Sequence, residues 1–247
     1  MLCGQMPPIQ KLDTSLNKLV SCRHLAISSN TIEKICCLGR LKNLRVLSIG
    51  RNQIKKLDGL EEVGATLEEL WISYNLLDKL AGIEKLTQLK VLYMSNNLLS
   101  RWSEIDRLKE CPTLEDVLFQ ANPIETNATR KDDYRLQVVG RAGAVRKLDG
   151  APVTEDERHI GYQFILGQQL IARFGNVSSV FKKIDTNGDG NLSREEIERA
   201  IRSIGFPYEE EELDAFIKSA DTSGSGQIRY EELCARFGDL NVVDDKG

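Results

Sequence analysis

Apolar and polar positions follow one arrangement five times over in the first half of the chain. The arrangement is L-x-L-x-x-N-x-I/L, with apolar residues at its first and third positions and asparagine at its sixth. The asparagines are Asn30, Asn52, Asn75, Asn97 and Asn122, spaced 22, 23, 22 and 25 residues apart. Because a single unit of this size cannot bury its own apolar side, the units must stack on one another. The pattern therefore predicts one cooperative unit over about residues 20–150.

Each position of the pattern has a physical role. The L-x-L portion predicts a short strand whose alternate side chains point into the core. The asparagine follows at the turn, where its side chain can bond to backbone groups that would otherwise be buried unpaired. Apolar residues from Tyr134 to Val153, around Leu148-Asp149-Gly150, predict a closing helix and turn. We predict an α/β leucine-rich-repeat solenoid over residues 1–155, with repeats of about 22 residues, a parallel sheet and a C-terminal cap.

The strand residues between the buried ones should face outward across the sheet. Four residues before the last three asparagines lie Trp71, Tyr93 and Leu118, which should form one stripe on adjacent strands. Exposed aromatic residues with a polar rim are the usual anatomy of a protein-binding patch. The alternative is that the rings only stabilise the sheet by cross-strand pairing. The polar and aromatic residues expected to flank the stripe are Arg51, Glu69, Tyr74, Asn96, Asp116 and Gln120.

A twelve-residue loop in the last third of the chain fits the EF-hand pattern at every diagnostic position. It runs from Asp185 to Glu196 with the sequence DTNGDGNLSREE. Asp185, Asn187 and Asp189 would supply side-chain oxygens to calcium, Asn191 its carbonyl oxygen, and Glu196 both carboxylate oxygens. The loop therefore predicts a Ca²⁺ site.

A second loop, DTSGSGQIRYEE, keeps the same spacing with fewer charged ligands. Its predicted ligands are Asp221, Ser223, Ser225, Gln227 and Glu232, of which only the first and last are charged. Fewer charged ligands mean weaker calcium affinity. We therefore predict a stronger first site and a weaker second site.

The two loops belong to a predicted all-α EF-hand pair over residues 176–242, preceded by a connector helix over residues 156–175. Ile160, Phe164, Ile171 and Phe174 lie along one face of that helix. It either serves as a simple connector or docks on the opened hands. The EF-hand half contains no methionine, which argues against a calmodulin-like grip on varied targets.

Composition narrows the classes of function. The net charge is −4, and it is unevenly spread, with −6 over residues 160–247 and +2 over residues 1–159. No basic face is expected, so nucleic-acid binding is not predicted. No stretch approaches the ~20 apolar residues of a membrane span. The six cysteines show no paired spacing and no signal peptide precedes them, which predicts reduced thiols in a cytosolic protein.

Catalysis is not expected. The two histidines, His24 and His159, lie near no nucleophile motif. No phosphate loop, catalytic zinc motif or nucleophile elbow is present.

Several runs of the repeat region resemble the leucine-rich-repeat light chain of axonemal outer-arm dynein. They are LKNLRVLSIGRNQIKKLDGLEEVGATLEELWISYNLLDKL, then VLYMSNN and KLDGAPV, with QMPPIQKLDTSL as the entry segment. The resemblance covers about residues 5–155. The segments TLEELWISYN and YMSNN make this resemblance more specific than the leucine pattern of a generic repeat.

The resemblance implies a partner and a location. Such light chains bind the motor region of a dynein heavy chain, at the microtubule-binding tip of its stalk, so tubulin is a further expected partner. The implied location is the cytoplasm and cytoskeleton, in the axoneme of a cilium or flagellum. The family usually begins with a helix, and only four residues precede Gln5, so the sequence leaves open whether that helix is missing here. The family also usually ends near KLDG, so calcium control is inferred from the loops and not from the resemblance.

The leading hypothesis is thus a non-catalytic dynein light chain that senses calcium and regulates ciliary motility. The alternative is a cytosolic or nuclear leucine-rich-repeat adaptor of the phosphatase-regulator or splicing-complex type, also with calcium binding. The sequence leaves open which heavy chain is bound, the sign of the calcium effect, the occupancy of the second loop, and whether the hands pack on the repeats.

Overall fold

The repeats form a single sheet with one strand from each unit. The computed structural model describes residues 1–128, 131–207, 210–238 and 240. Neighbouring strands run parallel from β1 to β6, and β7 closes the sheet antiparallel to β6. Within the described residues the strands of this sheet are, in order, β1 (His24–Ala26), β2 (Val46–Ser48), β3 (Glu69–Trp71), β4 (Val91–Tyr93), β5 (Asp116–Leu118), β6 (Lys147–Leu148) and β7 (Ala151–Pro152).

The return legs of the repeats are short helical turns. Apolar residues from these legs and from the strands form one buried core, which confirms the predicted leucine-rich-repeat solenoid. The 3₁₀ turns are Thr14–Lys18, Leu60–Val63, Ile83–Lys85 and Arg107–Glu110, and the α-helices of this unit are α1 (Trp102–Asp106), α2 (Pro123–Thr126) and α3 (Lys131–Arg141). Tyr134, Val138 and Val139 of α3 are buried in the same core, so this helix covers the last repeat.

The repeated asparagines form a ladder inside the turns. The Asn75 side chain accepts a hydrogen bond from the Ile54 backbone N–H at 2.9 Å. It also donates to the carbonyls of Ile49 and Ile72, at 3.2 and 3.0 Å. Asn97 bonds in the same way one repeat further on. Each asparagine therefore satisfies buried backbone groups of its own repeat and of the preceding one.

Both ends of the ladder are filled. At the first repeat, the Asn30 side chain accepts from the backbone N–H of Ile9 and donates to the carbonyl of Leu2. The N-terminal residues thus occupy the place of a preceding repeat. At the last repeat, Asp149 accepts from the Phe119 backbone N–H at 2.7 Å. Tyr134 donates to the same carboxylate at 2.7 Å, and burial, followed by the nearby charge of Asp149, raises the pKa of its hydroxyl.

The second unit, residues 155–246, is built from helices and has its own core. Its elements are α4 (Glu155–Phe174), α5 (Val177–Ile184), β8 (Asn191–Leu192), α6 (Arg194–Ser203), α7 (Glu210–Ala220), β9 (Ile228–Arg229) and α8 (Tyr230–Phe237). The strands β8 and β9 pair antiparallel, with Leu192 opposite Ile228. This arrangement confirms the predicted EF-hand pair. None of the helices in the described part of the chain is long and apolar enough to cross a membrane.

The segment predicted as a connector, residues 156–175, is found in α4, which packs on the EF-hand helices within the second unit. Ile165, Leu166 and Leu170 are buried in its core. Polar contacts add to this packing, because His159 Nδ1 lies 3.0 Å from Glu212 Oε2 of α7. The structure therefore shows this helix packed on the hands, and its docking on opened hands stays a prediction.

At Gly167, α4 lies close against Phe237 of α8. A Cβ at this position would lie 2.7 Å from the ring of Phe237 and 2.5 Å from Leu240. The Phe237 ring is 1 % exposed and stacks on Phe216 at 5.6 Å, so it has little room to shift. Glycine at position 167 is thus needed for this packing.

Gly167→Ala is expected to lower the free energy of unfolding of the second unit by about 1–2 kcal/mol. Overpacking costs about 1–3 kcal/mol, which exceeds the gain of up to about 1 kcal/mol in helix propensity. Urea denaturation followed by far-UV circular dichroism measures the change. Ala172→Gly, at an exposed position of the same helix, measures how much helix propensity alone contributes to the free energy of unfolding. A stability equal to or above that of the wild type would contradict the close packing.

Candidate functional site

The outward stripe predicted on the sheet is present as an aligned row. Ser48 lies opposite Trp71, Trp71 opposite Tyr93, and Tyr93 opposite Leu118 in the parallel register. Trp71, Tyr93 and Leu118 are all half-buried, whereas the preceding residues Leu70, Leu92 and Val117 are buried. The alternation of the strands therefore brings the three predicted residues together on the open face.

Aromatic contacts hold this row in place. The rings of Trp71 and Tyr93 stack with centroids 6.3 Å apart. His24, on β1, meets Trp71 of β3 edge-on, with ring centroids 5.7 Å apart. The rings therefore do pair across the strands, as the alternative interpretation required. This pairing does not exclude binding, because the rings remain partly exposed and are held rigid.

One edge of the face carries charged partners of these rings. The Trp71 indole N–H donates to Glu69 Oε2 at 3.1 Å, and the Tyr93 hydroxyl donates to Asp116 Oδ2 at 2.9 Å. Lys147 Nζ lies 2.9 Å from the same Asp116 oxygen. Burial, then the hydrogen bond to Asp116, raises the pKa of Tyr93, so its hydroxyl stays a donor at neutral pH.

The opposite edge is formed by residues with left-handed backbone. Each precedes a ladder asparagine, and each has φ between 54° and 58°: Ser29, Arg51, Tyr74, Asn96 and Ala121. The Arg51 guanidinium lies 4.5 Å from the centre of the Tyr74 ring, in a cation–π contact. The predicted rim residues thus divide between two edges, with Glu69 on one and Arg51, Tyr74 and Asn96 on the other.

Four further residues of the face were missed as candidates for binding. They lie six residues before a ladder asparagine, or at the equivalent position of the cap: His24, Val46, Val91 and Lys147. The alternation of the strand could have identified them, because they are two residues before the predicted row. Val46 and Val91 widen the apolar part of the face.

The first calcium loop is folded around its carboxylates. Asp185 accepts hydrogen bonds from the backbone N–H groups of Gly188 and Gly190, at 2.8 and 3.1 Å. Gly190 has φ of 81°, which allows the sharp turn that the sequence predicted. Asn187 and Asp189 each accept a bond from the backbone two residues further on. The loop is therefore ordered by the same oxygens that were predicted to bind calcium.

Glu196 closes the first loop. It lies in the first turn of α6 and accepts from the backbone N–H groups of Thr186 and Ser193 at 2.8 and 3.0 Å. Burial alone would raise the pKa of Glu196, but these hydrogen bonds lower it to about 2. Its carboxylate is therefore ionised at neutral pH, as a calcium ligand must be.

The second loop repeats this arrangement with serines. Asp221 accepts from the backbone of Ser225 and Gly226, at 3.0 and 2.6 Å. Glu232, in the first turn of α8, accepts from the backbone of Ser223 and Arg229, both at 2.9 Å. The bond from Arg229 lowers the pKa of Glu232. Ser223 donates to Asp221 at 3.0 Å, and Gln227 lies in the loop immediately before β9.

Sequence reasoning did not assign a role to the second residue of either loop. The hydroxyls of Thr186 and Thr222 donate to Glu196 and Glu232, at 2.9 and 3.0 Å. The shared threonine in the two loop sequences was the available signal. These hydroxyls position the last ligand of each loop.

The donor set of both loops fits calcium. It consists of oxygens only, from carboxylate, amide, hydroxyl and backbone carbonyl groups, and calcium prefers such hard ligands. In the described part of the chain no three His, Cys, Asp or Glu side chains gather as a metal cluster. The loops therefore depend on amide, hydroxyl and carbonyl oxygens in addition to their few carboxylates.

Comparisons with known families agree with both halves of the chain. The EF-hand domain pair family matches residues 177–238, and the family of leucine-rich repeats in two copies matches residues 65–110. Among solved structures, a chain of the Drosophila melanogaster SNF/U2A' complex is similar with a TM-score of 0.55. It is 21% identical and covers 64% of this chain and 93% of that chain, which shows the fold alone.

Similarity to curated proteins is higher. Dynein axonemal light chain 1 of Chlamydomonas reinhardtii is 53% identical over 162 residues, covering 64% of this chain and 81% of the relative. The Homo sapiens protein of the same name is 51% identical over 156 residues, covering 63% of this chain and 82% of the relative. Identity at this level over most of the relatives' length identifies the family. The chain belongs to the dynein axonemal light chain 1 family, and it carries an EF-hand domain pair in addition to the repeats.

Proposed function

We propose that this protein is a non-catalytic, calcium-responsive light chain that binds a dynein heavy chain through its open sheet face. The observation that carries the proposal is the aligned row of Trp71, Tyr93 and Leu118 on the exposed face of a family member. The relatives' name places them in axonemal dynein. The proposed location is accordingly the axoneme of a cilium or flagellum.

The face has the properties of a binding surface for a protein. Rigid aromatic side chains lose little conformational entropy on binding and are enriched among the residues that dominate affinity. Trp71 is held by the stack on Tyr93 and by its bond to Glu69, so it is already oriented. The charged edge at Asp116 and Lys147 would fix the register of a partner. The proposed partner is the stalk tip of the heavy-chain motor region, with tubulin as a further partner there.

Trp71→Ala is expected to weaken binding to a heavy-chain stalk-tip fragment by roughly 30-fold or more, since a central tryptophan contributes about 2 kcal/mol or more to such interfaces. Surface plasmon resonance with the purified fragment measures the affinity. Microtubule co-sedimentation of the same variants measures tubulin binding separately.

Two leucines of the repeat unit provide a matched control. Leu118 lies in the row, whereas Leu98 is 47% exposed and lies beyond a ladder asparagine, outside the strands. Leu118→Ala should weaken binding and Leu98→Ala should not. If both changes weaken binding equally, or Trp71→Ala leaves affinity intact, the sheet face is not the binding surface.

The calcium part of the proposal assigns the ligands. The first ion would be held by Asp185, Asn187, Asp189, the Asn191 carbonyl and Glu196, and the second by Asp221, Ser223, Ser225, the Gln227 carbonyl and Glu232. A divalent cation supplies charge that competes with the backbone N–H groups for these oxygens. The last ligand of each loop belongs to the first turn of the following helix, so its movement is passed to that helix.

Helix α4 offers a route by which calcium changes the protein. Glu232 lies in the first turn of α8, and Phe237 at the other end of α8 lies beside Gly167 of α4. A shift of α8 by a few tenths of an ångström would therefore displace α4, because the two helices are closely packed at Gly167. We infer that calcium regulates the light chain by changing how α4 docks on the hands.

A further inference from the structure

Two neighbouring thiols in the first repeat lie in contact. The sulfur atoms of Cys36 and Cys37 are 3.5 Å apart. All six cysteines belong to the described residues and are free thiols, and this is the one contact among them between two sulfur atoms. The sequence pattern predicts reduced thiols here, and the proposed light-chain function makes no use of them.

The backbone explains why the two sulfur atoms meet. In an extended chain, successive side chains point to opposite sides, which keeps neighbouring thiols apart. Cys37 has φ of 63°, in the left-handed region that residues other than glycine rarely adopt. This conformation breaks the alternation. The contact is therefore built into the segment between β1 and β2.

Small molecules can reach the Cys36 member of this pair. Both cysteines are half-buried, in contrast to Cys111, which is buried and whose pKa is raised to about 11, first by burial. Cys36 lines an open groove of about 760 Å³ between the N-terminal segment and the first repeat, together with Gln10, Leu12 and Lys34. The groove is large enough for a reagent the size of a peptide disulfide.

We infer that Cys36 and Cys37 form a vicinal dithiol that reacts with low-molecular-weight disulfides and closes reversibly into a disulfide between adjacent residues. The two sulfur atoms would have to approach by about 1.5 Å to reach the length of an S–S bond. Such a short ring is strained, and strained disulfides are readily reduced. The product is thus a reversible modification and not a structural cross-link.

The reaction has two exchange steps. One of the two thiols attacks one sulfur of the reagent RSSR as the thiolate, forming a mixed disulfide and releasing RS⁻. The other thiol then loses its proton to that RS⁻ and attacks the protein sulfur of the mixed disulfide, releasing the second RS⁻, which takes up the proton that the first thiol had given to solvent. The net change is two protein thiols and RSSR converted to one protein disulfide and two RSH.

Closure also affects the N-terminal segment. The Cys36 thiol donates to the Leu12 carbonyl at 3.4 Å, and Leu12 is part of the repeat core. Oxidation removes that S–H donor. The disulfide would therefore loosen the attachment of residues 10–12 to the first repeat.

Peptide mapping of the full-length protein tests the inference. Trypsin cleavage after Lys34 and Arg40 releases both cysteines in one peptide. After incubation with glutathione disulfide, this peptide is expected to be lighter by two hydrogen atoms, and dithiothreitol should restore its mass. Phenylarsine oxide, which bridges two thiols, should add to the same peptide in the reduced protein. A peptide that carries glutathione, stays unchanged, or takes up no arsenical would overturn the inference.

Single substitutions locate the reaction. Cys36→Ser and Cys37→Ser should each abolish uptake of phenylarsine oxide, whereas Cys22→Ser, at another half-buried thiol, should leave it unchanged. Loss of uptake in Cys22→Ser alone would also overturn the assignment. The mapping of the wild-type protein remains decisive if a serine variant fails to fold.

Discussion

Asn97→Ala is expected to lower the free energy of unfolding of the repeat unit by roughly 3 kcal/mol, since it leaves a buried N–H without a partner. The Asn97 side chain is the acceptor for the backbone N–H of Leu77, at 3.1 Å. The two carbonyls to which Asn97 also donates have a second donor each. The Ile72 carbonyl also accepts from Asn75, and the Met94 carbonyl also accepts from Asn122. The loss of stability therefore comes mainly from the unpaired Leu77 N–H group, with a smaller contribution from the cavity that the substitution leaves.

Tryptophan fluorescence during urea denaturation measures this change without interference from the second unit. The chain has two tryptophans, Trp71 and Trp102, and both lie in the repeats. Asn43→Ala is the control, because Asn43 is exposed and makes a single bond to the Val20 carbonyl. It should cost less than about 1 kcal/mol. Equal losses for the two variants would show that the ladder bonds are not the source of stability.

Glu196→Gln is expected to weaken calcium binding at the first loop by on the order of a hundredfold, because it removes the charged ligand that can offer two oxygens. Glu232→Gln should remove a weaker site, since serines replace the amide and acidic ligands of the second loop. Isothermal titration calorimetry of the full-length protein gives both affinities. A larger loss of total calcium binding from the change at Glu232 would contradict the predicted order of the sites.

The neighbouring glutamates separate loss of a ligand from loss of charge. Glu195 and Glu231 precede the ligands, are exposed, and have no role in the loops as ligands. Glu195→Gln and Glu231→Gln should bind calcium within a few-fold of the wild type. Hydrogen exchange of α4 in the same samples tests the route through α8. Calcium binding with no change in α4 exchange would separate the metal sites from the proposed regulation.

The repeats and the EF-hand loops could be predicted from sequence because each of their positions has one physical task. The ladder asparagines must satisfy buried backbone groups, so residue type and spacing recur together. The same holds for the loop, where Gly190 must allow the turn and Glu196 must close it. Local rules of this kind do not depend on what the rest of the chain does.

The packing of α4 could not be predicted in the same way. Its apolar residues fit one helical face, but the need for glycine at position 167 comes from the ring of Phe237 beside it. That contact joins residues 70 positions apart and leaves no local pattern. The contact between Cys36 and Cys37 also depends on the backbone φ of Cys37, which cannot be predicted from two adjacent cysteines in the sequence.

The left-handed residues along one edge of the sheet face connect folding to binding. Glycine would adopt this conformation at no steric cost, yet the chain has Arg51, Tyr74 and Asn96 there. Each such residue gives up a fraction of the stability that glycine would provide, on the order of 1 kcal/mol. In return, each projects a side chain at the rim of the face. Glycine at these positions would make the protein more stable, but it would remove the side chains that border the binding face. Along this edge, higher stability would therefore come with weaker binding.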